Sequence, residues 1–137
     1  MTQKAFQLIN PAGLYDPAPR AYSHVARLEP NVRLVYLAGQ VGEDVEGNLS
    51  SDFGTQVRVA LANLQTALAA AGAGISDVVK LTVLIVDHSE SKLAVLGAEL
   101  GLVWGPLMKP ACTLIPVPRL ALDTLLVEVE AIAAVAV

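Results

Sequence analysis

A single cysteine, Cys112, is all that the chain contains, and a lone thiol closes no intramolecular disulfide. The two histidines, His24 and His88, lie far apart and far from Cys112, so there is no zinc-ligand spacing either. Neither a disulfide scaffold nor a structural metal is expected. Charge is also scarce. Charged residues make up 16% of the chain, its nine basic residues are scattered, and the net charge is −4. That leaves no basic track for a phosphate backbone and argues against a nucleic acid partner. Long apolar runs are missing too: the stretch from Leu125 to Val137 is broken by Glu128 and Glu130, and nothing nears the roughly 20 residues that cross a bilayer. The segment Met1 to Phe6 lacks a charged region followed by an apolar one and a small-residue cleavage site. The expectation is a cytoplasmic protein with no membrane partner.

What the chain does have is apolar residues, 54% of its 137 positions. That length suits one domain, residues 1–137, able to bury roughly two-thirds of its unfolded surface. The apolar content exceeds what a self-sufficient monomer of this size needs, so part of it is expected to face another subunit.

Lys4 to Ile9 reads as a short first strand, closed by the turn formers Asn10-Pro11-Ala12-Gly13. Tyr22 to Leu28 and Arg33 to Gln40 are β-prone runs separated by Glu29-Pro30-Asn31, which suggests a hairpin. From Asp52 the period changes: Val57, Ala60, Leu61, Leu64, Leu68 and Ala71 recur at helical spacing, with Asp52 or Ser51 as N-cap and Gly72-Ala73-Gly74 as the stop. Val78 to Val86 is apolar at nearly every position, as a central strand covered on both faces should be. A second helix fits Glu90 to Trp104, with Ser89 as cap and Leu93, Leu96, Leu100, Val103 and Trp104 as its stripe. Cys112 to Val117 is a strand whose Pro116 lacks an N–H and therefore points to an edge or a bulge. In the last strand, Leu125 to Val135, alternation puts Val127, Val129, Ala131, Ala133 and Val135 on one face. Leu126, Glu128, Glu130 and Ile132 fall on the other.

This order of elements is an α+β layer with both helices on one side of the sheet. The second face then needs a cover, and self-association is the economical way for a chain with no further elements to supply it.

Certain segments resemble, in order, the landmarks of the RidA/YjgF family. They are Val35-Tyr36-Leu37-Ala38-Gly39-Gln40, Gln56 leading into Ala60-Leu61-Ala62-Asn63-Leu64, Ala70-Ala71-Gly72, and Asp77-Val78-Val79-Lys80-Leu81-Thr82-Val83. Pro110-Ala111-Cys112-Thr113 and Val127-Glu128-Val129-Glu130-Ala131-Ile132-Ala133 complete the series, which spans nearly the whole chain. The resemblance implies a chorismate-mutase-like fold, a mixed sheet with two helices on one face, assembled as a homotrimer with small-molecule pockets at the subunit interfaces. It also implies cofactor-free hydrolysis of enamines and imines to 2-oxo acids and ammonia.

Carried over position by position, Glu128 matches the family's last-strand carboxylate that orients water or relays protons. Tyr22 matches the pocket tyrosine and Gly39 the turn glycine, while Cys112 and Thr113 occupy the strand that lines the pocket. Ala38 stands where a serine is common, and Cys112 stands where an arginine clamps the substrate carboxylate. A thiol offers neither the charge nor the paired donors of a guanidinium. Losing such a contact removes about 1.5–3 kcal/mol. Hydrolysis of 2-imino acids is therefore expected to be weak or absent.

Each of these residues also has a plain reading. A free cysteine is usually a small buried hydrophobe, Tyr22 would simply pack, and Glu130 would be a solvated or interface-paired group. Glu128 is costly to bury among apolar neighbours unless it is paired or functional, which favours function. Lys109 and Arg119 flank the altered strand and are candidates to replace the arginine, although basic side chains near loop ends usually do nothing specific, and His24 and His88 have no partner spacing with Cys112. The leading function is a hydrolytic deaminase of enamine- or imine-type metabolites with a non-standard substrate. The alternative is a non-catalytic metabolite-binding trimer, and an RNA-directed translation inhibitor ranks last.

Overall fold

The computed structural model describes residues 4–137, so the part of the leader reading that falls on Met1, Thr2 and Gln3 lies outside it. The first helix, α1, is Phe53–Ala70. The Asp52 carboxylate caps it by accepting from the Thr55 amide at 2.9 Å, satisfying one of the donors that a helix start leaves open. At the other end Gly72 takes φ +75°. The Gly72 amide then donates to the Ala69 carbonyl and the Ala73 amide to Leu68, the pairing of a left-handed helix stop. Leu61, Leu64 and Leu68 are buried along this helix, each contributing on the order of 1.5–3 kcal/mol of apolar transfer.

The second helix, α2, is Glu90–Trp104, with Ser89 accepting from the Lys92 amide at 3.2 Å. Leu96, Leu100 and Trp104 are buried and Val103 packs against them, whereas Leu93, expected on the same stripe, is exposed. Glu99 lies almost buried between the helices and is held by Arg58 of α1 at 2.8 Å.

The strands are β1 (Phe6–Ile9), β2 (Val25–Leu28), β3 (Val32–Tyr36), β4 (Gln40–Val41), β5 (Val78–Val86), β6 (Ala111–Val117) and β7 (Val127–Ala136). The main sheet runs β3-β7-β5-β6, with β4 also on β7. Among the described strand pairs β5–β6 alone is parallel, so the sheet is mixed, and β5 is internal, as its continuous apolar run requires. Pro116 sits on β6, the outer strand, where a missing N–H costs least.

The hairpin expected between the Tyr22 and Arg33 runs does not form. Asn31 adopts φ +62° and turns the chain. β2 pairs with β1, while β3 pairs with β7 from Val32↔Ala136 to Tyr36↔Ile132. The ten-residue β7 offers β3 both a ladder and a buried face, which the mostly exposed β2 does not.

Residues on the helix side of the sheet, among them Leu81, Val83, Val127, Val129, Ala131 and Ala133, join the helices in one apolar cluster. The opposite face carries Thr82, Leu84, Glu128, Glu130 and Ile132 together with the exposed Leu34, Tyr36 and Ile115. Its alternation is the one read from the last strand. Among the described residues no helix is long and apolar enough to cross a membrane.

Candidate functional site

Tyr22 precedes β2 and meets an aromatic cluster. Its hydroxyl hydrogen-bonds that of Tyr15, and His24 stands edge-on to both rings, with its Nε2 against the Tyr15 carbonyl at 2.8 Å. Arg20 lies 4.8 Å over the face of Tyr15, a favourable cation–ring placement. His24 is thereby committed to the tyrosines, and neither histidine hydrogen-bonds Cys112 among the described residues.

The neighbour of Tyr22, Ser23, is buried and bridges to Ala111 at the start of β6. The Ser23 hydroxyl donates to the Lys109 carbonyl at 2.5 Å, and its amide donates to Pro110 at 3.1 Å. Tyr22 is thus fastened beside the Pro110-Ala111-Cys112 segment, on the rim of a hollow of about 230 Å³ that also reaches Lys109. Sequence reading missed Ser23 and Tyr15. A serine whose importance lies in gripping a carbonyl 86 positions away leaves no local signal.

Cys112 pairs with Leu81 and shares its helix-side face, packed against the apolar cluster. Burial pushes its thiol up to about 11, with Lys80 pulling weakly the other way. A thiol that stays protonated is a poor nucleophile. At pH 8 iodoacetamide is expected to alkylate the native protein about a hundredfold more slowly than the urea-unfolded chain, because the thiolate fraction is that much smaller. The native rate should climb with pH until it levels near 11. An ordinary free-cysteine rate at pH 8 would show that the thiol is activated and open.

Thr113, the next residue, points to the opposite, exposed face, where its hydroxyl accepts from Lys80 Nζ at 2.7 Å. Glu130 lies across from Thr82 on that face and is exposed.

Glu128 is half-buried on the same face, opposite Val41 of β4 and Leu84 of β5. Its carboxylate lies directly over Gly39. A Cβ built on that glycine would come within 1.9 Å of Glu128 Oε1 and 2.6 Å of its carboxyl carbon. Glycine at 39 is therefore what lets the carboxylate rest on the backbone just before β4. The exposed Ala38 beside it supplies only a carbonyl, which accepts from Gln40 Nε2 at 3.2 Å.

Of the two candidate substitute cations, Arg119 is held by Asp123 at 2.5 Å in an exposed loop. Lys109 is half-buried on the rim of the hollow.

The chain does not bring all these groups together. Cys112 pairs with Leu81, Leu81 with Ala131, and Glu128 with Leu84, so Cys112 and Glu128 lie on opposite faces, roughly 14 Å apart by ordinary strand spacings. Tyr22 and Lys109 line one hollow, Cys112 packs against the helix-side core, and Gly39 with Glu128 forms a separate cluster.

Comparison with known proteins gives consistent matches. The family model described as Endoribonuclease L-PSP matches residues 15–135. The RutC family protein PH0854 of Pyrococcus horikoshii is 36% identical over 125 residues, covering 86% of this chain and 92% of that protein. A crystal structure of the Rid-family protein YyfB from Yersinia pestis, of unknown function, superposes with a TM-score of 0.91 at 35% identity, covering 96% of this chain and all of that one. TdcF of Escherichia coli, solved with bound serine, superposes at 0.69 with 27% identity over 75% of this chain and 81% of its own.

Proposed function

Because the chain belongs to the RidA/YjgF (endoribonuclease L-PSP) family, we propose that it is a small-molecule-binding protein assembling as a homotrimer. Its pockets would lie between subunits, where it would hydrolyse an enamine- or imine-type metabolite that no bidentate arginine orients. The observation that supports this reading most directly is the separation of the two clusters. Cys112 faces the helix side of the sheet, with Tyr22 fastened near the start of its strand, and Glu128 over Gly39 lies on the opposite face. A neighbouring copy packed on the open sheet face would bring one protomer's Glu128 to the other's Tyr22 cluster and would cover Leu34, Tyr36 and Ile115. The serine bound to TdcF supports a ligand of amino-acid size.

In the proposed reaction Glu128 takes a proton from a water molecule as its oxygen attacks the imine carbon. The C=N bond becomes a carbinolamine, and the same carboxyl group returns the proton to nitrogen. As the C–N bond breaks, its electron pair leaves with nitrogen while the hydroxyl oxygen forms the C=O bond and gives up its proton, which Glu128 passes to the nitrogen. Ammonia and a carbonyl product leave, and water is the only co-reactant. Positioned acid–base groups of this kind contribute about 10²–10⁴-fold.

The test is ammonia release from enzymatically generated 2-iminobutanoate and from uncharged imines. Native protein should be slow with the first, and Glu128→Ala should cut turnover of any accepted imine by about 100-fold. Unchanged turnover in that variant would overturn the role of Glu128. Ligand-induced stabilisation without ammonia from any imine would leave a metabolite-binding trimer instead.

A further inference from the structure

We infer that Asn63 of α1 is a positioning residue for Glu128, acting through β4 and the backbone on which the carboxylate rests. The inference rests on the role proposed for Glu128 above and deepens it by naming what holds that group in place.

Glu128 depends on the surface beneath it. Its carboxylate takes no hydrogen bond among the described residues, and the surface it lies on is Gly39. Gly39 leads directly into β4, the two residues Gln40–Val41, whose ladder to β7 consists of Gln40↔Val129 and Val41↔Glu128. Strands usually run roughly three to ten residues, so β4 has few ladder bonds with which to resist displacement.

The missing restraint comes from α1. Asn63 Nδ2 donates to the Val41 carbonyl and to the Glu43 carbonyl, each at 2.9 Å. One carboxamide thus spends both its protons on two carbonyls that flank Gly42. Gly42 is buried against the same helix, where a Cβ would lie 2.6 Å from Gln56 Cα. Gln56 and Asn63 are about two helical turns apart, so the segment is pressed to α1 at two points. The helix is itself fixed by Ala60, Leu61 and Leu64, all buried in the core. Val41 is also the ladder partner of Glu128, so a shift of β4 moves the carboxylate's support and its strand neighbour together. A displacement of about 1 Å in reacting groups can cost on the order of 100-fold in rate.

The test uses full-length protein and two readouts. Hydrogen exchange followed by mass spectrometry compares the segment from Gly39 to Glu43 with α1 and β7, and imine turnover gives kcat and KM. Asn63→Ala removes both bonds but puts the best helix former in their place, so the urea midpoint should move little. Exchange of the segment should rise about tenfold or more while β7 stays protected. For any accepted imine, kcat should fall about tenfold or more with KM held within about threefold. Asn63→Asp keeps the shape and loses the donors, so it should reproduce both effects. Gln65→Ala, at an exposed position of α1, should produce neither. Unchanged exchange in Asn63→Ala, a rise shared by the whole chain, or a loosened β4 with undiminished kcat would each overturn the inference. Native protein that releases no ammonia from any imine sinks the deaminase reading, and exchange then still decides whether Asn63 fixes the backbone under Glu128. Turnover lost in Glu128→Ala but untouched in Asn63→Ala does the reverse.

Discussion

Replacing Cys112 with arginine is expected to raise kcat/KM for 2-iminobutanoate hydrolysis at least tenfold over the native chain, and Glu128→Ala should remove the gain. The magnitude follows from restoring a charge-assisted, two-point grip on the substrate carboxylate, which is worth about 1.5–3 kcal/mol. The geometry permits the substitution because β6 is the outer strand of the sheet. Position 112 is only half-buried, so a long side chain can run past the strand edge and leave its head group in solvent or pocket. Melting temperature is the necessary companion measurement. If the variant loses several degrees and gains no activity, the arginine has been driven into the apolar cluster that Cys112 touches, and position 112 is a core site. If stability holds and activity rises, the pocket has kept its architecture and changed its ligand.

Gln56→Ala should be the most damaging single substitution outside the site, costing about 3 kcal/mol or more of stability. The side chain is fully buried and makes three bonds. Its Nε2 donates to the Ser50 carbonyl at 2.7 Å and the Thr124 carbonyl at 3.0 Å, while its Oε1 accepts from the Leu126 amide at 2.9 Å. Its partners are the half-buried Ser50 and Leu126 and the exposed Thr124, and each backbone group left unsatisfied where water does not reach it costs about 1–3 kcal/mol. These bonds tie the loop before α1 to the chain entering β7, two residues before Glu128. Gly42 closes the same corner, since a Cβ there would lie 2.6 Å from Gln56 Cα. Urea unfolding at fixed protein concentration, which keeps any assembly term constant, should show the loss. A change below about 1 kcal/mol would mean that water replaces the amide. Gln56→Glu keeps the acceptor and the volume but puts a carboxylate where two carbonyls need a donor, so it should also destabilise.

The site was partly legible in the chain. Glu128 stood out because a carboxylate alternating with valine and alanine on a strand is expensive without a purpose. Cys112 stood out through the series of motifs that the chain shares with its family. Nothing local distinguished Ser23 or Tyr15, because each matters through a partner that only the fold places beside it. Leu93 fitted the helical stripe and is nevertheless exposed, since a period fixes which residues share a face but not how far the packing partner extends.

By itself, then, the sequence determined the two helices with their caps, the central and edge strands and the alternation of the last strand. All are set by contacts within a few residues, which hydrogen-bonding geometry and apolar periodicity encode directly. Only the tertiary structure decided which strands pair, that β2 joins β1 while β3 joins β7. It also decided that Cys112 faces the helices while Glu128 faces away. Pairing is a competition among many possible partners for one ladder and one buried face, and its outcome depends on the whole chain at once.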